Sequence, residues 1–181
     1  MKRRLLLVAL CAVLAMFTGA CSSPDSPKTK PTASAPPSQT QAPKLPALAR
    51  ENSEAGAEAA FRHFLEATNF AAITGNFEPF DQIANTECEG CATIRNHLSD
   101  VYDAGGHVEG NAWVLQSIDG DLEPDGAYVA AQVTTEAGML TAKAGAKPEK
   151  IPSRMSNQSL YARLAFASGS WSITELGTET S

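Results

Sequence analysis

The chain has 181 residues, with 14 Lys and Arg against 20 Asp and Glu and a formal net charge of −6. That balance excludes a generic nucleic-acid binder, which needs a cationic surface for phosphates. An apolar fraction of 43% is enough to build one hydrophobic core.

The first segment reads as an export signal. Met1-Lys2-Arg3-Arg4 is positive, and Leu5–Phe17 is an apolar run of 13 residues. Such a run is short for a bilayer span but suits a signal-peptide core. Thr18-Gly19-Ala20-Cys21 then puts two small residues before a cysteine, with Ser22-Ser23 after it. The pattern resembles the lipobox of bacterial lipoproteins. It implies that residues 1–20 are removed and that Cys21 receives diacylglycerol and becomes the N-terminus. Thr18 stands in place of the usual Leu, so cleavage by an ordinary signal peptidase is the alternative. The expected location is the extracytoplasmic face of the cell membrane.

Residues 21–46 follow as the lipidated N-terminus and a tether. Residues 22–46 hold seven of the 11 prolines, spaced by Ser, Thr, Gln and Ala. Without apolar periodicity they cannot bury enough surface to offset their ordering entropy. Extended, they reach on the order of 75 Å from the membrane. Residues 47–181 fit one compact domain. Loss of Lys2, Arg3 and Arg4 leaves 11 basic against 20 acidic residues, a net of −9. The charge is uneven: residues 51–136 carry a net of −14 and residues 137–174 a net of +4. Potentials of opposite sign on the two segments would orient the domain near a charged partner.

Ser53–Thr74 is expected to be helical, with Ala57, Ala60, Phe61, Phe64, Leu65 and Thr68 on one face. Asn52 or Ser53 can cap its start and Gly75 its end. A short helix begins near Pro79. A third runs over Glu89–Ala104 with Cys91, Ile94, Leu98, Val101 and Tyr102 as its stripe, closed by Gly105-Gly106. The pattern then changes to strands: His107–Ile118, Ala127–Thr135, Met139–Ala142, Leu160–Ala167 and Trp171–Leu176. Turn signals at Asp119-Gly120, Asp125-Gly126, Ala137-Gly138 and Ser168-Gly169-Ser170 separate them. Helices first and an antiparallel meander afterwards make an α+β fold.

Three N-terminal helices before a curved sheet that closes on Trp171-Ser172-Ile173 are similar to the nuclear-transport-factor-like cone fold. The lipobox, the tether, Ala60-Phe61-x-x-Phe64, Cys88-Glu89-Gly90-Cys91 and Gly105-Gly106 together resemble an actinobacterial lipoprotein family of unknown function. That resemblance covers about residues 50–176 and implies fold and location, with no reaction attached. The cone superfamily includes isomerases, dehydratases and epoxide hydrolases beside non-catalytic members. The resemblance therefore implies a pocket between sheet and helices, lined by residues such as Phe64, Val101 and Leu164.

Cys88 and Cys91 are the thiols left once Cys11 is removed and Cys21 lipidated. Outside the cytoplasm the default for such a pair is a disulfide. A redox-active pair is the alternative, because a helix N-terminus lowers a thiol pKa. Glu87 and Glu89 oppose it by disfavouring a thiolate, and no strand precedes the pair. Zinc would need two more ligands from His63, His97 and His107, and His97 lies about 240° round the helix from Cys91. Asp119, Asp121, Glu123 and Asp125 begin like a calcium loop. Pro124 occupies the sixth position, where Gly is needed, and Ala130 the twelfth, where Glu is needed. No metal or cofactor is expected.

Lys143, Lys147, Lys150 and Arg154 mark either a solvated connection or a docking loop for an anionic headgroup, wall polymer or acidic protein. Asp81, Asp100, Asp103, His107 and Tyr128 are the candidate acids and bases for an enzyme. The reading that follows is a membrane-anchored envelope lipoprotein with a non-catalytic binding or interaction domain. Its partner would be an envelope protein or a small apolar ligand. The alternative is an enzyme that works on a small apolar molecule by acid/base chemistry in the cone pocket.

Overall fold

The computed structural model describes residues 41–179. The signal segment, Cys21 and most of the tether lie outside the described residues, as does all of the first of two units, Met1–Ala35.

Three helices precede seven strands: α1 Glu54–Thr74, α2 Glu78–Asp81 and α3 Glu89–Asp103, then β1 His107–Gly110, β2 Trp113–Glu123, β3 Gly126–Thr135, β4 Gly138–Thr141, β5 Glu149–Ile151, β6 Arg154–Ala167 and β7 Ser170–Thr178. The fold is α+β, with helices packed on antiparallel sheets, as the element order predicts. A 3-10 turn over Ala47–Arg50 leads into α1. Ser53 caps α1 by accepting the Gly56 N–H at 3.1 Å, and Gly75 closes it in the left-handed region at φ 70°.

Two faces of α1 are buried rather than one. The expected face carries Ala57, Phe61, Phe64, Leu65 and Thr68; a second carries Gly56, Ala59, His63, Ala67 and Phe70. Glu54, Ala55, Arg62 and Glu66 remain exposed. The second face is covered because α1 packs against the 3-10 turn and β1 as well as β2. In the core, Phe64 lies 6.0 Å from Phe61 and 5.3 Å from Phe80 between ring centroids. Trp171 is 2% exposed, meets Phe166 edge-on at 5.0 Å and donates its indole N–H to the Glu51 carbonyl at 2.8 Å.

The strands form a four-stranded sheet, β2-β3-β6-β7, and a three-stranded sheet, β1-β4-β5, all antiparallel. The order of the smaller sheet repeats that of the larger, because β1 runs into β2, β3 into β4 and β5 into β6. Two residues break each pair of strands: Asn111-Ala112, Glu136-Ala137 and Pro152-Ser153. The sequence expectation of one strand over His107–Ile118 fails at this line. Asn111 takes φ 59° and Gly110 φ 66°, which turns the chain out of the ladder. Asn111 N–H to Ala137 O (3.2 Å) and Glu136 N–H to Ala112 O (2.9 Å) hold the bend.

Three further expectations are corrected. Asp119-Gly120 lies inside β2, where Gly120 faces α1; the turn comes later, at Glu123–Gly126. β6 begins six residues before the predicted Leu160, and the charged segment contains an unpredicted strand, β5. The outer edge of β7 is covered, since Ile173 accepts from the Asn85 N–H at 2.9 Å and donates to Ile83 O at 2.8 Å.

Candidate functional site

The expected cone pocket is packed shut at the residues named for it. Phe64 and Leu164 belong to the hydrophobic core, Val101 is buried, and none of the three lines either of the two grooves described below. One groove of about 850 Å³ lies elsewhere, between α1, the start of β2 and residues 41–44. Leu65, Phe70, Ala112, Trp113 and Leu115 form its apolar lining, while Lys44, Arg62, Glu66 and Glu136 bring charge. Among the described residues none of these four charges is paired within an ion bridge. Leu45 packs on the core, so the segment nearest the groove runs along the domain.

A second groove, of about 410 Å³, borders Cys91, Phe80, Asp81 and Arg95. Here Arg95 Nε meets Asp81 Oδ1 at 2.7 Å and Nη2 meets Oδ2 at 3.0 Å, with the guanidinium 4.9 Å from the Phe77 ring. The hydrogen bond to Asp81 pushes the Arg95 pKa further up. Cys88 and Cys91 are disulfide-bonded and each 1% exposed, in contact with the core. Cys88 caps α3, its sulfur accepting the Cys91 N–H at 3.2 Å. Both sulfurs are committed to the disulfide.

The candidate acids and bases are scattered. Asp81 is held by Arg95; Asp100 and Asp103 are exposed on α3; His107 is exposed beside Glu109 at 3.2 Å; Tyr128 lies on the outer sheet. His63, by contrast, is 3% exposed, and among the described residues its Nδ1 has no hydrogen-bond partner. Burial lowers its pKa. Asp119, Asp121 and Glu123 share the side of β2 away from α1, and the described residues contain no group of acidic, His or Cys side chains arranged to hold a metal. Lys143, Lys147, Lys150 and Arg154 are all exposed, and none is ion-paired among the described residues.

The outer face of the larger sheet is the feature the sequence did not reveal. Register aligns Asp121, Tyr128, Arg163 and Glu175 in one row, and Asp119, Ala130, Tyr161 and Gly177 in the next. Tyr128 and Tyr161 stack at 6.1 Å with 16° between ring planes. Arg163 lies 5.7 Å from the Tyr128 ring, is hydrogen-bonded by Glu123, and places its Nε 3.5 Å from Glu175. Tyr128 donates to Glu179 at 2.7 Å and Tyr161 to Glu175 at 3.1 Å; these bonds are the main cause of raised pKa values in both phenols. The alternation of Tyr161 and Arg163 in β6 hinted at such a face. The cross-strand pairing that assembles it is not local information.

Residues 29–177 match a family of unknown function, DUF6318. The chain belongs to that family. A search of curated proteins by sequence finds no match. Among solved structures, the intermembrane space region of the chloroplast protein ARC6 is similar at 11% identity and a TM-score of 0.52, covering 72% of this chain and 99% of that one. This likeness concerns the fold alone. A putative aromatic ring hydroxylase from Novosphingobium aromaticivorans is similar at 16% identity and a TM-score of 0.45, covering 66% and 85%. An uncharacterised protein with a cystatin-like fold from Caulobacter vibrioides shares 13% identity at a TM-score of 0.41, covering 68% and 89%. No described helix is long and apolar enough to cross a membrane.

Proposed function

We propose that this member of the family is a lipid-anchored, extracytoplasmic lipoprotein of the actinobacterial kind. Its domain docks another envelope protein instead of transforming a substrate. The anchor rests on Thr18-Gly19-Ala20-Cys21 after the apolar run, with the Pro-rich segment as spacer. The docking role rests on one observation. The centre of the space between helices and larger sheet, where cone enzymes keep a reaction chamber, is filled by Phe61, Phe64, Phe80, Trp171 and Ile173, each at most 2% exposed. What such a domain offers a partner is its surface.

The groove beside residues 41–44 supports a second reading, a small amphipathic ligand held against Leu65, Phe70 and Trp113. The loop at Lys143, Lys147, Lys150 and Arg154 supports an auxiliary contact with an anionic headgroup or wall polymer. Native mass spectrometry of the full chain, gently extracted from its membrane, separates these readings. The expected result is a lipid mass lost in Cys21→Ala, together with a stoichiometric protein partner stabilised by in-cell crosslinking. An unlipidated chain overturns the anchor. A bound small molecule with no protein partner favours the groove and overturns docking.

A further inference from the structure

The groove between α1, β2 and residues 41–44 has one wall that belongs to the incoming chain. Gln41, Ala42, Pro43 and Lys44 line it, and Gln41 is the first described residue. The chain therefore reaches the domain at the groove itself. The family match begins further upstream, at residue 29. A spacer needs length and composition alone, yet the family's sequence pattern runs through residues 29–40. Across the groove lie Phe70 and the half-buried Trp113, aromatic faces of the kind on which proline-rich chains pack.

The strand side of the groove also lacks a partner. β2 is an edge strand of the larger sheet, and Asn69 takes the outward N–H and C=O of Trp113. Pairing alternates along an antiparallel ladder, so Leu115, two residues on, turns its own N–H and C=O the same way. Leu115 lines the groove, and among the described residues these two groups have no partner. Water or an extended chain in the groove must supply one.

We propose that residues 36–40 of this chain, Pro36-Pro37-Ser38-Gln39-Thr40, lie extended in the groove as a strap. Pro36 and Pro37 cover Phe70 and Trp113, while residues 38–40, which keep their N–H groups, pair with the backbone of Leu115. Five extended residues span roughly 15 Å, so a segment joined to Gln41 reaches both contacts. The link also holds the strap at an effective concentration of about millimolar, which favours it over a free competitor. Docked, it leaves residues 22–35 as the spacer, with a reach of roughly 45 Å. A partner that uses this groove has to displace the strap first.

The test compares the full chain in non-ionic detergent with a variant that carries Pro36→Gly, Pro37→Ser, Ser38→Gly, Gln39→Ser and Thr40→Gly. These residues precede the described core, so the variant keeps the fold, and amide exchange at Val129 in the central strand β3 checks it. NMR reads Overhauser contacts of the Trp113 indole and amide exchange at Leu115. The expected result is contact from the Pro36 and Pro37 rings to Trp113 in the unaltered chain. Exchange at Leu115 should quicken by about 2- to 10-fold in the variant, the range of one net hydrogen bond, with Val129 unchanged. Identical Leu115 exchange in the two chains, missing proline contacts, or equal quickening at Val129 overturns the proposal. So do contacts seen solely between differently labelled copies, which make a second copy the occupant, and a co-purified small molecule on Trp113. Loss of the strap leaves the docking reading standing, since in-cell crosslinking tests that separately.

Discussion

Asn69 and Trp113 are joined by two hydrogen bonds. The Trp113 N–H donates to Asn69 Oδ1 at 2.8 Å, and Asn69 Nδ2 donates to the Trp113 carbonyl at 2.9 Å. The amide of an α1 side chain thus stands in for a neighbouring strand at the first residue of β2, which is an edge strand of the larger sheet. This happens next to Asn111-Ala112, where the chain has just left one ladder and entered the next. Asn69→Leu should therefore cost about 1–3 kcal/mol by stranding both backbone groups in a part-buried site. Thermal melting would show it, and hydrogen exchange should quicken first at Trp113. An unchanged melting temperature would mean that water replaces the amide at no cost.

The disulfide closes a small loop, so its contribution on the chain-entropy model is modest, roughly 2 kcal/mol. Cys88→Ala/Cys91→Ala should fold with that loss, and the loosening should be confined to the start of α3. Both sulfurs are buried, so the native protein should resist thiol reagents after brief exposure to reductant until denaturant is added. Rapid labelling of the reduced native state would revive the redox alternative.

Gly90 shows how tightly that end of α3 is seated. A Cβ there would lie 2.1 Å from the Leu176 carbonyl oxygen on β7, and both groups belong to the backbone. Gly90→Ala must push α3 away from the sheet, at about 1–3 kcal/mol. Gly145→Ala is the contrast. Nothing lies within 4 Å, and its cost of about 1 kcal/mol arises from φ 73° alone. A melting series that ranks the two the other way round would contradict this packing.

The larger features of the fold were legible wherever apolar side chains repeat. Phe61, Phe64 and Leu65 announce α1, and Leu160, Ala162 and Leu164 announce the inward side of β6. The second buried face of α1 was not legible, because Gly56, Ala59 and Ala67 allow close approach yet carry little hydrophobic signal. The bend at Asn111 was hidden for a different reason: two consecutive residues in the left-handed region, Gly110 and Asn111, interrupt a run that otherwise reads as one strand. β5 consists of Glu149, Lys150 and Ile151, exposed or half-buried, and exists through pairing with β4. The outer face of the larger sheet needed three registers at once. Asp121, Tyr128, Arg163 and Glu175 span 55 residues of sequence and become neighbours solely through the sheet.

His63 gives a pH dependence of stability that can be assigned to one residue. Burial on the second face of α1 holds its pKa below the ordinary value of 6.5, so the folded state takes up a proton less readily than the unfolded chain. Above about pH 6.5 both states carry a neutral ring and stability is unaffected. As the pH falls from there towards the lower folded-state pKa, the unfolded state gains a proton that the folded state does not, and stability is lost over that interval. The melting temperature of the full chain should therefore decline as the pH falls below about 6.5. His63→Gln should flatten this stretch, leaving the steeper acid loss expected of carboxylates at lower pH. A slope that survives in His63→Gln would assign the proton uptake to another group.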